Sequence, residues 1–229
     1  MIEMQQVWKK YRDAWALRGV SLEAADGRVV GVLGENGSGK SSLFKILAGV
    51  VRPSQGVVRV MGVPVGIETR GLTAYLPEIN PYYGWMSVAQ QLEFLSRFYG
   101  GWDAVKATEL CRFMKVPTDQ KVGTLSKGQV ARLKVAAAFS WPSRVVLMDE
   151  PLGGIDPPSR RRILATLFEQ FRAAEQTILI STHLVDEVEG FVDSVLFLSA
   201  GEIVLRGEVD QLREDRGQSL AEMFEEVAS

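Results

Sequence analysis

The sequence predicts an α/β fold with a mainly parallel central sheet, an antiparallel sheet near the N-terminus and a group of inserted helices. Two uninterrupted apolar runs, residues 145–148 and 177–180, are typical of strands buried on both faces of a parallel sheet. A glycine-rich loop joins a third apolar segment, residues 28–33, directly to a helical pattern. Polar residues that follow these runs are therefore expected to meet in one crevice at the carboxyl ends of the strands.

Length, composition and net charge limit the classes of protein to which this chain can belong. The 229 residues, 46% of them hydrophobic, suffice for one α/β domain with a buried core. A net charge of −2 gives no overall excess of positive charge, so no nucleic acid partner is expected, although a net charge leaves a local basic patch open. The single cysteine, Cys111, excludes an internal disulfide and is expected to be a buried thiol in a reducing compartment. We expect neither a secretory signal nor a membrane span, because every apolar segment is too short.

Alternating apolar residues at positions 2–10 and 20–24 predict antiparallel edge strands, with Tyr11 in the turn between them. A tyrosine here either covers the sheet or stacks on a bound base, and Trp15 is the rival for stacking. Further strands are predicted at residues 57–61 and 72–76.

The glycine-rich loop, residues 34–42, is predicted to bind phosphate. Its glycines allow a tight turn that points backbone N–H groups inward at a helix N-terminus, which forms a cradle for the β-phosphate of a nucleotide. Lys40 is expected to reach the β- and γ-phosphates, and Ser41 to bind Mg²⁺. A glycine-rich turn without a ligand is the minor alternative.

The middle of the chain predicts a helical insertion. The loop at residues 79–85 is rich in aromatic residues and proline, which is typical of a docking surface, although the same rings could fill the base of a helical lobe. Ser87 and Gln90 form a capping-box pattern that begins a helix through residue 99, which carries Val88, Leu92, Leu95 and Phe98 on one apolar face. A second helix is predicted at residues 103–115.

Residues 125–129, Leu-Ser-Lys-Gly-Gln, begin another helix, for which Ser126 is the predicted N-cap. On its own this is an ordinary helix start. The serine hydroxyl, the Gly128 backbone and the adjacent Lys127 nevertheless suit an anion, because a helix N-terminus carries partial positive charge. The chain therefore contains two helix starts that suit phosphate.

Acidic residues end the first apolar run. We expect Asp149 to hold Mg²⁺ and Glu150 to polarise an attacking water, since carboxylates at this edge of a sheet face the ligand crevice. Solvated turn acids are the alternative, which the apolar strand before them disfavours. The chain's one histidine, His183, follows the second run and should reach the same crevice. Asp156 is the predicted N-cap of the next helix.

In this order the motifs resemble the nucleotide-binding subunit of ATP-binding cassette (ABC) transporters over essentially the whole chain. The signature between the phosphate loop and the acidic strand discriminates, because a phosphate loop alone also permits a kinase or a GTPase. The matching positions are Tyr11 for adenine stacking; Gly34, Glu35, Asn36, Gly37, Ser38, Gly39, Lys40, Ser41 and Ser42 for the Walker A loop; Ser126, Lys127, Gly128 and Gln129 for the signature; Asp149 and Glu150 for Walker B; Asp156 for the D-loop; and His183 for the switch histidine.

The resemblance implies a P-loop NTPase core with its antiparallel sheet at residues 1–77 and 141–229, and a helical part with the Q-loop and signature at residues 78–140. It implies ATP and Mg²⁺ as cofactors, with Lys40, Glu150 and His183 as catalytic residues. Two such domains, identical or different, would meet head to tail, each signature completing the other's site. The further partner would be a transmembrane permease subunit, with this chain in the cytoplasm at the inner face of the membrane.

Two positions depart from the family pattern. Lys127 occupies the third signature position, usually glycine, and adds a charge suited to phosphate. Glu78 stands where the family usually has glutamine, and its carboxylate would repel the γ-phosphate unless Mg²⁺ lay between them. Glu78 is therefore a candidate metal ligand beside Ser41 and Asp149. The Tyr-Leu-Pro-Glu form and the short tail are similar to ATPases of bacterial drug and peptide-antibiotic exporters.

Two alternatives remain at this point. One is a soluble ATP-driven machine of the same family that acts on DNA or ribosomes, although such relatives usually carry coiled-coil insertions or two cassettes. The other is a module that binds ATP without turnover, which the intact Lys40, Asp149, Glu150 and His183 disfavour.

Overall fold

The computed structural model describes residues 1–153, 155–157, 159–161, 163–164 and 176–228. In this part of the chain, ten strands form two sheets. The strands are β1 Ile2–Tyr11, β2 Ala14–Ala24, β3 Val29–Leu33, β4 Gln55–Val60, β5 Val63–Pro64, β6 Thr73–Leu76, β7 Val145–Asp149, β8 Thr177–Thr182, β9 Ser194–Ser199 and β10 Glu202–Glu208.

Helices pack around the sheets, and three of them lie between β6 and β7 in the sequence. The first five are α1 Lys40–Leu47, α2 Ile67–Arg70, α3 Val88–Ser96, α4 Ala104–Phe113 and α5 Lys127–Ala138. The C-terminal part contains the helices Val185–Val188, Val209–Arg216 and Leu220–Ala228. Among the helices that the structure describes, none is long and apolar enough to cross a membrane.

The central sheet has six strands in the order β10-β9-β3-β8-β7-β6. Its pairings are parallel except for that between β9 and β10. Every residue of β3, β7 and β8 is buried, as the uninterrupted apolar runs predict. The mainly parallel α/β sheet is therefore confirmed, and the carboxyl ends of these three strands lie at the same edge.

The second sheet is antiparallel, with the order β2-β1-β4-β5. β1 extends to Tyr11, which pairs with Ala14, so the turn lies at residues 12–13 and not at Tyr11. β2 begins at Ala14, earlier than the predicted residue 20. The register between β1 and β2 shifts between Met4 and Lys10, and this irregularity breaks the alternation that the sequence pattern relies on.

The helical insertion begins with the predicted cap. Ser87 Oγ accepts a hydrogen bond from the Gln90 backbone N–H at 3.1 Å, and Gln90 Oε1 accepts one from the Ser87 N–H at 2.9 Å. The helix α3 ends at Ser96, earlier than residue 99. Phe98, expected on the buried face, is 67% exposed, because helical spacing no longer applies beyond the end of α3.

The central sheet separates two hydrophobic clusters. Leu33 packs with the helical insertion, whereas its neighbour Val32 packs with α1 and the antiparallel sheet. Cys111 lies in the first cluster as a buried free thiol, as predicted. Its burial raises the pKa of the thiol to about 11.

Candidate active site

The phosphate loop follows β3 and leads into α1. Gly37 and Gly39 have φ angles of 86° and 112°, which favour glycine. A Cβ at Gly39 would collide with the Ala16 carbonyl oxygen, and one at Gly34 with the Leu198 carbonyl oxygen. Among the described residues, no side chain caps α1 and its first turn carries no acid. The N–H groups of this helix start are therefore available to an anion.

Lys40 places a buried cation at the end of the loop. Its side chain is 5% exposed, and Nζ donates hydrogen bonds to the carbonyl oxygens of Gly34 at 2.6 Å and Glu35 at 3.1 Å. Nζ also lies 3.4 Å from Glu150 Oε1. The ammonium group therefore lies between the phosphate loop and the predicted base.

Asp149, at the end of β7, is 1% exposed and is fixed by three hydroxyl groups. Its Oδ1 accepts hydrogen bonds from Ser181 Oγ at 2.8 Å and Ser41 Oγ at 3.1 Å, and its Oδ2 accepts one from Tyr75 OH at 3.4 Å. Burial, followed by the Asp149 charge, raises the pKa of the Tyr75 phenol, which keeps this donor protonated.

Ser181 and Tyr75 were not predicted as site residues. The β7–β8 register pairs Asp149 with Ser181. The sequence signal for Ser181 was only that a polar residue ends the second apolar run.

Glu150 follows Asp149 with a positive φ of 46°. Its backbone N–H donates to Ser181 O at 3.2 Å and Ser181 Oγ at 3.1 Å. The carboxylate lies against His183, with Nδ1 at 3.1 Å from Oε1 and 3.2 Å from Oε2. The structure thus brings together Glu150, His183 and Lys40, which the sequence places in three separate segments.

Lys40 and Glu150 open into a cleft of about 360 Å³, whereas His183 lines a separate cavity of about 220 Å³ that Glu150 also lines. The lining residues of the cleft are Ala16, Glu35, Asn36, Gly37, Gly39, Lys40, Ser41, Ser42, Glu78 and Glu150. The cleft joins most of the predicted phosphate loop to two carboxylates from other segments.

The aromatic residues proposed for base stacking lie outside that lining. Tyr11 is 42% exposed, with Lys9 Nζ 4.8 Å from its ring centroid. Trp15 packs edge-on against Trp8 at a centroid distance of 5.3 Å. Tyr11 therefore presents the freer ring, and its role stays a prediction.

The residues present fit Mg-nucleotide. Ser41 Oγ and Asp149 lie together, and among the described residues there is no cluster of three or more metal-ligating side chains. Mg²⁺ usually takes one or two protein ligands and completes its shell with phosphate and water. Ser38 Oγ, in the loop, is one of two buried side-chain atoms without a hydrogen-bond partner in the described part of the chain. Glu78 is exposed on the same cleft, where its predicted metal role stays a prediction.

Comparisons with known proteins agree with this geometry. Residues 17–153 match the family model described as ABC transporter. The ABC transporter ATP-binding protein NatA of Bacillus subtilis (strain 168) is 32% identical, over 98% of this chain and 96% of the relative. The chain belongs to the ABC transporter family. It is an ATP-binding cassette of that family, and the predicted resemblance is confirmed.

Other relatives of the cassette agree. The linearmycin resistance ATP-binding protein LnrL of Bacillus subtilis (strain 168) is 28% identical, over 90% of this chain and 69% of LnrL. A solved ATP-binding subunit of an ABC transporter superposes with a TM-score of 0.89 at 26% identity, over the full length of both chains. A dimeric, ADP-bound cassette, MJ0796, has a TM-score of 0.84 at 21% identity and shows the same fold.

The signature of the cassette starts α5 as predicted. Ser126 Oγ accepts a hydrogen bond from the Gln129 N–H at 3.2 Å, and Gln129 Oε1 accepts one from the Ser126 N–H at 2.8 Å. Ser126 and Lys127 are exposed, whereas Gly128 is buried. These residues lie outside the lining of the phosphate cleft of their own chain.

Asp156 caps the helical residues that follow it. Its Oδ2 accepts a hydrogen bond from the Ser159 N–H at 3.1 Å, as the predicted N-cap requires. Hydrogen bonds from Ser159 also hold the pKa of this exposed carboxyl below its usual value. Gly154, in the predicted D-loop, lies outside the described residues.

The aromatic loop contains both half-buried and exposed rings, and its role as a docking surface stays a prediction. Tyr82 is half-buried and packs against the core. Tyr83 and Trp85 are 49% and 67% exposed, with their ring centroids 5.8 Å apart. The Tyr83 ring also packs edge-on against the ring of Phe94 in α3, with a centroid distance of 5.6 Å. One ring therefore supports the helical lobe while two others form an exposed aromatic surface.

Lys134 of α5 is a buried residue that was not predicted to matter. It is 4% exposed, and Nζ donates hydrogen bonds to the carbonyl oxygens of Pro77 at 2.6 Å and Glu78 at 3.0 Å. Burial lowers the pKa of the ammonium group, against the opposing effect of the Asp149 and Glu78 carboxylates.

Proposed function

We propose that this ABC cassette hydrolyses Mg-ATP at the interface of two cassettes, and that their closure drives export of a substrate through a separate permease. The arrangement of Glu150 carries the proposal. Its carboxylate lies 3.1 Å from the His183 ring and 3.4 Å from the Lys40 ammonium, at a cleft whose other residues suit phosphate. This is the placement expected of a base that activates water for phosphoryl transfer.

The residues divide the work as follows. Bound Mg-ATP would supply the γ-phosphoryl group and the metal charge that stabilises its transfer. Backbone N–H groups of the phosphate loop and Lys40 hold the phosphates, while Ser41 and Asp149 hold the metal. Glu150 takes a proton from the attacking water, and His183 keeps the Glu150 carboxylate oriented through Nδ1.

The cleft of one chain is half of a complete site. The signature helix start is exposed and lies outside the cleft of its own chain, although its N-terminus suits phosphate. A second cassette arranged head to tail would cover each cleft with the other's signature. The solved structure of MJ0796, a bacterial ABC transporter cassette, is dimeric, which supports the pairing of two cassettes.

The exposed aromatic surface supports a permease partner at the membrane. Tyr83 and Trp85 follow Glu78 closely along the chain, so a protein docked on them would be linked to the cleft through this segment. Export is supported by the likeness to LnrL, whose name assigns it to resistance against linearmycin. The cassette would then act in the cytoplasm, bound at the inner face of the membrane.

Glu150→Gln tests the assignment of the base. The variant should bind ATP and stay dimeric, while its ATPase rate falls about a hundredfold or more, because an amide cannot take the proton. Glu68→Gln, on the exposed face of α2, is the matched control and should keep the wild-type rate. A wild-type rate in Glu150→Gln would make the assignment wrong.

Mixing two inactive variants tests the shared site. Lys40→Ala removes the cation of the phosphate loop. Ser126→Phe blocks the signature, which in the proposed dimer covers the cleft of the other chain. A dimer of one Lys40→Ala chain and one Ser126→Phe chain contains one site in which both Lys40 and Ser126 are intact. ATPase activity should therefore return when the two variants are mixed. If the mixture stays as inactive as each variant alone, the site is not shared between two copies of this chain.

Purification from membranes tests the partner. A hydrophobic multi-span protein should accompany the wild-type cassette, and Trp85→Ala should lose it. Ribosomes or DNA in its place would contradict the transport proposal and favour the soluble machine.

A further inference from the structure

Lys134 is an unusual residue for its position in α5. The other buried residues in the second half of this helix are apolar, among them Leu133, Val135 and Ala136. A lysine here must lose its hydration, which an apolar side chain of similar volume would avoid. Lys40 and Lys134 are the two buried lysines in the described part of the chain, and Lys40 serves the phosphate site. The position of Lys134 therefore calls for a role beyond filling the core.

The hydrogen bonds of Lys134 join two segments that bear on the cleft. Its Nζ binds the carbonyl oxygens of Pro77 and Glu78, directly after β6. Glu78 lines the phosphate cleft. Lys134 lines a separate cavity of about 600 Å³, with Tyr75 and Pro77. The ammonium group thus holds the backbone from which the Glu78 side chain reaches the cleft.

The same helix carries the signature. Ser126 and Lys134 are eight residues apart, which is about 12 Å along a rigid helix. A displacement of the signature end of α5 is therefore transmitted to the Lys134 end. The two hydrogen bonds of Lys134 Nζ then transmit the displacement to the backbone of Pro77 and Glu78.

We propose that Lys134 is a positioning residue for the ATPase reaction, which ties the backbone of Glu78 to the signature helix so that the Glu78 carboxylate keeps its place in the cleft. The inference rests on the proposed function, since it concerns the rate of ATP hydrolysis. Among the residues that the structure describes, the Lys134 ammonium group donates no hydrogen bond to the phosphate loop or to the predicted base, so its effect passes through Glu78.

Lys134→Met, made in the wild-type chain and in Glu78→Ala, tests this directly. In the wild-type chain the substitution should lower kcat about tenfold with KM for ATP changed less than about twofold, because a misplaced group costs rate while phosphate binding is intact. In Glu78→Ala there is no carboxylate to position, so Lys134→Met should change kcat less than about twofold. An equal loss of kcat in both backgrounds would overturn the proposal, as would no loss in either.

Two controls separate positioning from folding. Leu110→Ala, in the core of α4, should lower the melting temperature with little change in kcat. If Lys134→Met does not fold, Lys134→Gln is compared in the same two backgrounds with the same criteria. A failure of the proposed function itself would appear differently, as a wild-type chain whose ATPase rate does not depend on Glu150.

Discussion

Ser181→Ala is the sharpest test of the geometry at the carboxyl edge of the sheet. The Ser181 hydroxyl is fully buried, donates to Asp149 at 2.8 Å and accepts from the Glu150 N–H at 3.1 Å. Without the hydroxyl, the Glu150 N–H still donates to the carbonyl oxygen of residue 181 at 3.2 Å, and Asp149 Oδ1 still accepts a hydrogen bond from Ser41 Oγ. The net loss is one hydrogen bond to a charged group, about 1.5–3 kcal/mol.

That loss should be visible in both stability and rate. For a chain of this length, 1 kcal/mol corresponds to roughly 2–4 °C, so the melting temperature should fall by about 3–12 °C. The kcat for ATP should fall by about tenfold or more, because Asp149 and Glu150 both lose the group that fixes them. Scanning calorimetry and steady-state ATPase assays measure the two effects.

Ser140→Ala is the matched control. Ser140 is also fully buried, but its hydroxyl donates to the Ala136 carbonyl oxygen at 2.6 Å, just after the end of α5 and outside the lining of the cleft. It should cost about 1 kcal/mol and leave kcat unchanged. Equal effects of the two substitutions on kcat would refute the role assigned to Ser181.

Three further predictions concern the phosphate loop, the core thiol and the metal. Gly39→Ala should lower the free energy of unfolding by about 3 kcal/mol or more, because backbone strain adds to the collision with the Ala16 carbonyl oxygen. Gly37→Ala has open space around the added Cβ, so it should lower that free energy by only about 1–2 kcal/mol, as measured by thermal unfolding. Cys111 should react with iodoacetamide at pH 8 only after denaturation, because its raised pKa of about 11 makes the thiolate about 100-fold scarcer than in the unfolded chain; rapid native labelling would contradict its burial. Glu78→Gln should shift the Mg²⁺ dependence of the ATPase rate to higher concentration, and superimposable curves would remove Glu78 from the metal site.

The central sheet was predictable because its signal is local. A strand buried on both faces must be apolar throughout, so the runs that became β3, β7 and β8 could be found without knowledge of their neighbours. The capping box at Ser87 and the N-cap at Ser126 were equally local, since each involves residues three positions apart.

The missed features depend on contacts between distant segments. Ser181 fixes Asp149 only because β8 pairs with β7 in that register, which no local pattern specifies. The sequence around Lys134 predicts an ordinary solvated lysine on a helix. Its burial follows only from the packing of the segment after β6 against α5. Phe98 was misplaced for the opposite reason, because its helical spacing continues in the sequence beyond the residue where α3 ends.

The exposed start of α5 has a consequence for when the cassette works. If each cleft needs the signature of a second chain, the rate per chain depends on how many chains are paired, and dilution lowers it by mass action. A permease that holds two cassettes would raise their effective concentration to the millimolar range without any new contact between them. Copies of the chain that have not met a membrane partner would then consume little ATP, so assembly itself would guard the cell's nucleotide supply.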